Sequence, residues 1–144
     1  AILIPLAVGA LSAILTKDNM IMFEFVKKPP LSPPAWLFPV VWTVLYVLMG
    51  VASYLVYASD SKNKGTALTF YAIQLAFNFF WSIIFFDLGN YAFAFYWLCA
   101  LWLLILITTV MFFKADRTAG ILMLPYLLWV SFAGYLNYAI MQLN

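Results

Sequence analysis

An all-α integral membrane fold, a five-transmembrane-helix bundle with a proline-rich loop between helices 1 and 2, is predicted by three observations. The chain is 67% apolar, 20% aromatic and only 8% charged over 144 residues, whereas soluble domains run to about half apolar and a quarter charged. Its mean hydropathy is +1.03. Apolar runs of span length recur along the sequence with tight polar breaks between them, and about 20 apolar residues per crossing take up nearly the whole chain. A single membrane domain over residues 1–144 follows, with no room for a separate soluble one.

The first helix is predicted over Ile2 to Thr16, with Pro5 near its start and Gly9 and Ala13 at small-xxx-small spacing. That is short for a span, and because the chain begins at Ala1 without an initiator methionine, a missing N-terminal turn would account for it. Lys17 to Pro34 then forms the longest connection. It carries Lys27 and Lys28, then Pro29, Pro30, Pro33 and Pro34, each of which fixes its own φ and restricts the residue before it. Such a segment reads as an ordered, cation-rimmed lid.

The second helix is predicted over Trp36 to Ala58, with Pro39 in its first turn, where a missing N–H costs nothing. Ser59 to Gly65 is a polar turn. The third helix, Thr66 to Phe86, ends at Asp87, Gly89 and Asn90. The fourth, Tyr91 to Phe113, ends at Lys114, Asp116 and Arg117, and the fifth runs from Thr118 to about Leu143 with a kink expected at Pro125. Basic residues are split almost evenly between the two ends of the bundle, so the positive-inside rule gives only a slight lean toward an internal N-terminus.

Several function classes are excluded. Histidine is absent, which removes the commonest haem ligand, general base and transition-metal ligand together. One cysteine, Cys99, permits neither an internal disulfide nor a thiolate cluster. No metal site is expected. Asp18, Glu24, Asp60, Asp87 and Asp116 all fall in loops or at helix ends, unlike the mid-membrane carboxylate of a proton-coupled pump. A net charge of +2 is too small for nucleic-acid binding, and no hydrolase, metalloprotease or Walker A pattern occurs.

Polar and aromatic stripes remain as candidates. Gln74, Asn78 and Trp81 lie at i, i+4 and i+7 of the third helix, which sets two amides and an indole on one face. Amides are expensive in lipid, so they face the interior and either cross-link helices or offer hydrogen bonds to a ligand. Trp42, Tyr46, Met49 and Ser53 form a stripe on the second helix, and Tyr126, Trp129, Ala133 and Asn137 another on the fifth. Three such faces could enclose a flat apolar ligand, with Ala133 leaving volume for it; each alone is also ordinary packing. Trp36, Tyr57 and Tyr91 read as interfacial aromatics.

The blocks KPPLSPPAW, PVVWTVLY, QLAFNFFWSIIFF and PYLLWVSFAGYLNY, in that order, resemble the translocator protein family, also called tryptophan-rich sensory proteins or peripheral-type benzodiazepine receptors. The resemblance covers nearly the whole chain. It implies a five-helix fold, usually a homodimer in the lipid bilayer, that binds porphyrins such as protoporphyrin IX or haem and acts as a tetrapyrrole or stress sensor. The resemblance further implies that no cofactor is required and that porphyrin is the ligand. The pocket so implied involves Trp42, Asn78, Trp81, Ala133, Leu136 and Tyr138, capped by the loop through Pro29 to Pro34, and Leu136 and Tyr138 come from the resemblance alone.

Lys27 or Lys28 would then meet the propionates, and Trp42 is the candidate for any light-dependent porphyrin breakdown. Porphyrin transport is the alternative implied activity. Two positions depart from the family: Leu31 stands where it carries tryptophan, and Ala139 to Leu143 lacks the basic residue of a sterol pattern. The first bears on how the loop packs; the second disfavours sterol binding and suits a member in a bacterial cell membrane.

Overall fold

The computed structural model describes residues 3–22, 37–88 and 90–143. Five α-helices account for nearly all of them: α1 (Leu3–Met22), α2 (Leu37–Tyr57), α3 (Lys64–Ser82), α4 (Tyr91–Ala115) and α5 (Arg117–Leu143). A π-helical turn, Ile83–Asp87, continues α3. No strand occurs among the described residues. Of these helices, four, α2 to α5, are long and apolar enough to cross a membrane, and with α1 as the fifth the chain is an all-α membrane bundle.

One boundary differs materially from the sequence expectation. α1 continues to Met22 rather than stopping at Thr16. Lys17, Asp18 and Asn19 are polar but not helix-breaking, and the first proline beyond Thr16 is Pro29; polarity alone does not end a helix, whereas proline does. The short first span is therefore lengthened at its C-terminal end. Pro125 does not interrupt α5, which runs as one element through it. Lys27, Lys28, Pro29, Pro30, Pro33, Pro34 and Trp36 lie outside the described residues.

The polar breaks act as caps. The Asn90 side chain accepts from the Phe93 N–H at 3.1 Å to start α4, and Asp116 Oδ1 accepts from the Ala119 N–H at 3.1 Å to start α5, each satisfying an orphan first-turn donor. Lys64 closes the end of α2, its Nζ donating to the carbonyls of Tyr57 and Ser59 at 3.1 Å each. A cation there also opposes the negative end of the α2 dipole.

α5 packs on α4 and α2, and α3 packs on α4. Two indoles tie these layers together. Trp97 Nε1 donates to the Phe77 carbonyl at 2.8 Å, and Trp102 Nε1 donates to Ser131 Oγ at 2.9 Å. α1 lies against α2 through Gly9, where an added Cβ would come within 2.5 Å of the Tyr46 ring. Glycine is required there by close approach rather than by backbone conformation.

Candidate functional site

The interior of the bundle is built around amides on α3. Gln74 and Asn78 are 0% and 1% exposed, and Tyr126 of α5 is 0% exposed. One directional chain of hydrogen bonds joins them. Tyr46 Oη donates to Asn78 Oδ1 at 2.7 Å, Asn78 Nδ2 donates to Tyr126 Oη at 2.9 Å, and Tyr126 Oη donates to Gln74 Oε1 at 2.6 Å. Gln74 Nε2 then points to the Met49 sulfur at 3.9 Å. Three helices are thus stitched at one level by neutral groups, each buried polar atom answered by another.

Trp42 sits beside this chain, one turn before Tyr46 on α2, and is half-buried. Its ring stacks on Tyr46 at 5.7 Å between centroids and meets Tyr126 and Trp129 edge-on at 6.2 and 6.5 Å. These are the offset and T-shaped arrangements that ring quadrupoles favour. The result is an aromatic wall contributed by α2 and α5, backed by the amides of α3.

A second brace lies toward the α3–α4 turn. Trp81 Nε1 donates to Asn137 Oδ1 at 3.2 Å, and Asn137 Nδ2 donates to the Tyr91 carbonyl at 2.8 Å. Trp81 also stacks on Phe85 within the π-helical turn at 5.1 Å, and Phe85 packs on Tyr91 at 5.0 Å. Asn137 therefore links α5 to both α3 and the start of α4.

Of the residues singled out by sequence, Trp42, Tyr46, Gln74, Asn78, Tyr126 and Trp129 come together in the first cluster, and Trp81 and Asn137 in the second. Ala133 and Leu136 are buried on the inner face of α5. Tyr138 is not brought to either cluster. It is 49% exposed, and its ring packs on Phe95 of α4 at 5.3 Å. One turn of α5 carries Asn137 inward, and the 100° step to the next residue takes Tyr138 off that face.

Tyr71 went unnoticed in the sequence although it is 7% exposed. The signal was present: Tyr71, Gln74, Asn78 and Trp81 continue one stripe at i, i+3, i+7 and i+10. Among the described residues no group of three or more His, Cys, Asp or Glu stands together. The interior is neutral, aromatic and amide-bearing, suited to hydrogen bonding and ring stacking rather than to acid–base chemistry.

A sequence profile of the TspO/MBR family matches residues 1–143. The chain is 41% identical over 122 residues to a protein of Cereibacter sphaeroides named tryptophan-rich sensory protein, covering 85% of this chain and 76% of that one. It is 38% identical to the tryptophan-rich protein TspO of Archaeoglobus fulgidus, over 100% of this chain and 94% of that one. The translocator protein of Bos taurus is 33% identical, over 99% of this chain and 86% of its own.

Proposed function

Because the chain belongs to the TspO/MBR family, we propose that this integral membrane protein binds porphyrins in its aromatic interior and serves as a tetrapyrrole sensor or regulator. The observation that supports this reading most is the wall of Trp42, Tyr46, Tyr126 and Trp129 beside the Asn78–Gln74 amides. A flat macrocycle gains by stacking on such rings, and the buried amides behind them hold the tyrosine hydroxyls in place without introducing a charge. With no histidine in the chain, binding does not depend on iron, and free-base porphyrin binds at least as tightly as haem.

Lys27 and Lys28 are proposed partners of the propionates, and Pro29, Pro30, Pro33 and Pro34 the lid above them. Ala133 and Leu136 complete the inner wall, and Tyr138 is left outside the proposed pocket. The host is proposed to be a bacterial cell membrane, in keeping with the greater identity to the Cereibacter protein than to the bovine one.

Titration of the purified protein with protoporphyrin IX, followed by Soret absorbance and tryptophan quenching, tests the reading. Saturable binding that weakens about ten-fold in Trp42→Ala is expected from loss of a stacked indole. Binding of haem alone, or equal affinity in wild type and Trp42→Ala, would overturn it. Transport is the second reading, supported by the name translocator protein carried by the bovine relative; vesicles loaded with fluorescent porphyrin would then empty faster when they contain the protein.

A further inference from the structure

The hydrogen-bond chain through the amides has a direction, and one sulfur atom sets it. An amide can exchange its oxygen and nitrogen by a half-turn, and a phenol can give or take a bond, so the same side chains could be wired either way. Met49 breaks the tie. Its thioether accepts but has no hydrogen to donate, it is fully buried, and it stands 3.9 Å from Gln74 Nε2. With that nitrogen turned to the sulfur, Gln74 offers Oε1 to Tyr126, whose hydroxyl must donate to it at 2.6 Å. The Tyr126 oxygen then accepts from Asn78 Nδ2 at 2.9 Å, which leaves Asn78 Oδ1 to accept from the Tyr46 hydroxyl at 2.7 Å. Turning Gln74 the other way would set its carbonyl against the sulfur, with no proton between them.

Gln74 is too deep to meet a ligand on the aromatic wall, since none of its surface is exposed. What it does reach is Tyr126, whose ring meets Trp42 edge-on at 6.2 Å. Through Asn78 it also reaches Tyr46, on which Trp42 stacks at 5.7 Å. Trp42 is itself only half-buried, so its orientation depends on the rings it rests against. Two of those rings are held by hydroxyl bonds that trace back to the Gln74 carbonyl.

We propose that Gln74 is a positioning residue for the Trp42 wall and not a ligand contact. Its carbonyl, aligned by Met49, fixes the direction of the chain and thereby seats the two tyrosines that orient the Trp42 indole. The bearing of Gln74 on binding rests on the porphyrin reading above; its bearing on the Trp42 geometry does not.

Near-ultraviolet circular dichroism of the ligand-free protein in detergent tests this, the Trp42 contribution being the difference between each protein and the same protein carrying Trp42→Phe. Gln74→Leu removes the acceptor and is expected to lose most of that contribution. Gln74→Glu is expected to keep it, because a neutral carboxyl can set its O–H to the sulfur and its carbonyl to Tyr126 as the amide does. A folded Gln74→Leu with the wild-type Trp42 signal overturns the proposal, as does a folded Gln74→Glu that loses the signal as fully as leucine. Gln74→Met, unbranched and adaptable in a packed interior, carries the same expectation as leucine should that variant not fold. In protoporphyrin IX titrations Gln74→Leu is expected to weaken binding about five-fold, the worth of one net hydrogen bond. In a Trp42→Ala background the same change is expected to leave affinity unaltered, because no indole remains to be positioned. Equal losses in the two backgrounds overturn the proposal. A wild type that binds no porphyrin would defeat the porphyrin reading and leave the dichroism to decide the role of Gln74.

Discussion

Asn78 uses both ends of its amide, accepting from Tyr46 and donating to Tyr126. Replacing it with leucine keeps the number and branching of the side-chain heavy atoms but removes both bonds. Tyr126 still donates to Gln74, so the Tyr46 hydroxyl is the one left without an acceptor. Asn78→Leu is therefore expected to lower stability by about 1–2 kcal/mol, since membrane hydrogen bonds are individually modest while a stranded buried donor is costlier. Adding Tyr46→Phe to that background removes the stranded hydroxyl and should recover part of the loss, a coupling measurable by thermal or detergent denaturation of the two single variants and the double. An additive double mutant would show that the bond carries no stability. Gln74 and Asn78 were legible as inward-facing because an amide has no favourable place in lipid; that their partners are phenols was not, because Tyr46 and Tyr126 lie far away in sequence on other helices.

At the scale of the helices, close approach is decided by single small residues. Gly9 lets α1 lie on the Tyr46 ring, so Gly9→Leu should displace one or the other and lower the melting temperature by several degrees, as overpacking costs typically 1–3 kcal/mol. Gly65 has no atom within 4 Å of a built Cβ, and Gly65→Ala is expected to be neutral or to stabilise by about 0.5 kcal/mol through helix propensity. The contrast isolates packing from backbone freedom. The boundaries before Tyr91 and near Arg117 were readable because polar residues there break the apolar runs; that Asn90 and Asp116 cap the helices that follow came from the structure. The end of α1 was not, since a charged run looks like a loop yet contains nothing that breaks a helix.

At the scale of the whole molecule, Ala72 and Ala76 lie exposed on the outer face of α3, one helical turn apart. We propose a homodimer through this small-xxx-small pair, for which cross-linking in membranes should capture a dimer in wild type and markedly less in Ala76→Leu. Undiminished cross-linking would move the interface elsewhere. Composition and hydrophobic run length determined the membrane-embedded helical fold, because a bilayer admits few architectures and demands long apolar segments. The missing histidine likewise removes imidazole as a ligand or base in this sequence without any structure. Only the tertiary structure decided that Tyr126, not Trp81, completes the Asn78 network, that Asn137 braces α3 and α4, and that Tyr138 packs outward on Phe95. Helical periodicity shows which face of one helix turns inward. Which atoms then meet depends on the relative rotation and height of several helices, and those are set by packing between residues far apart in the chain.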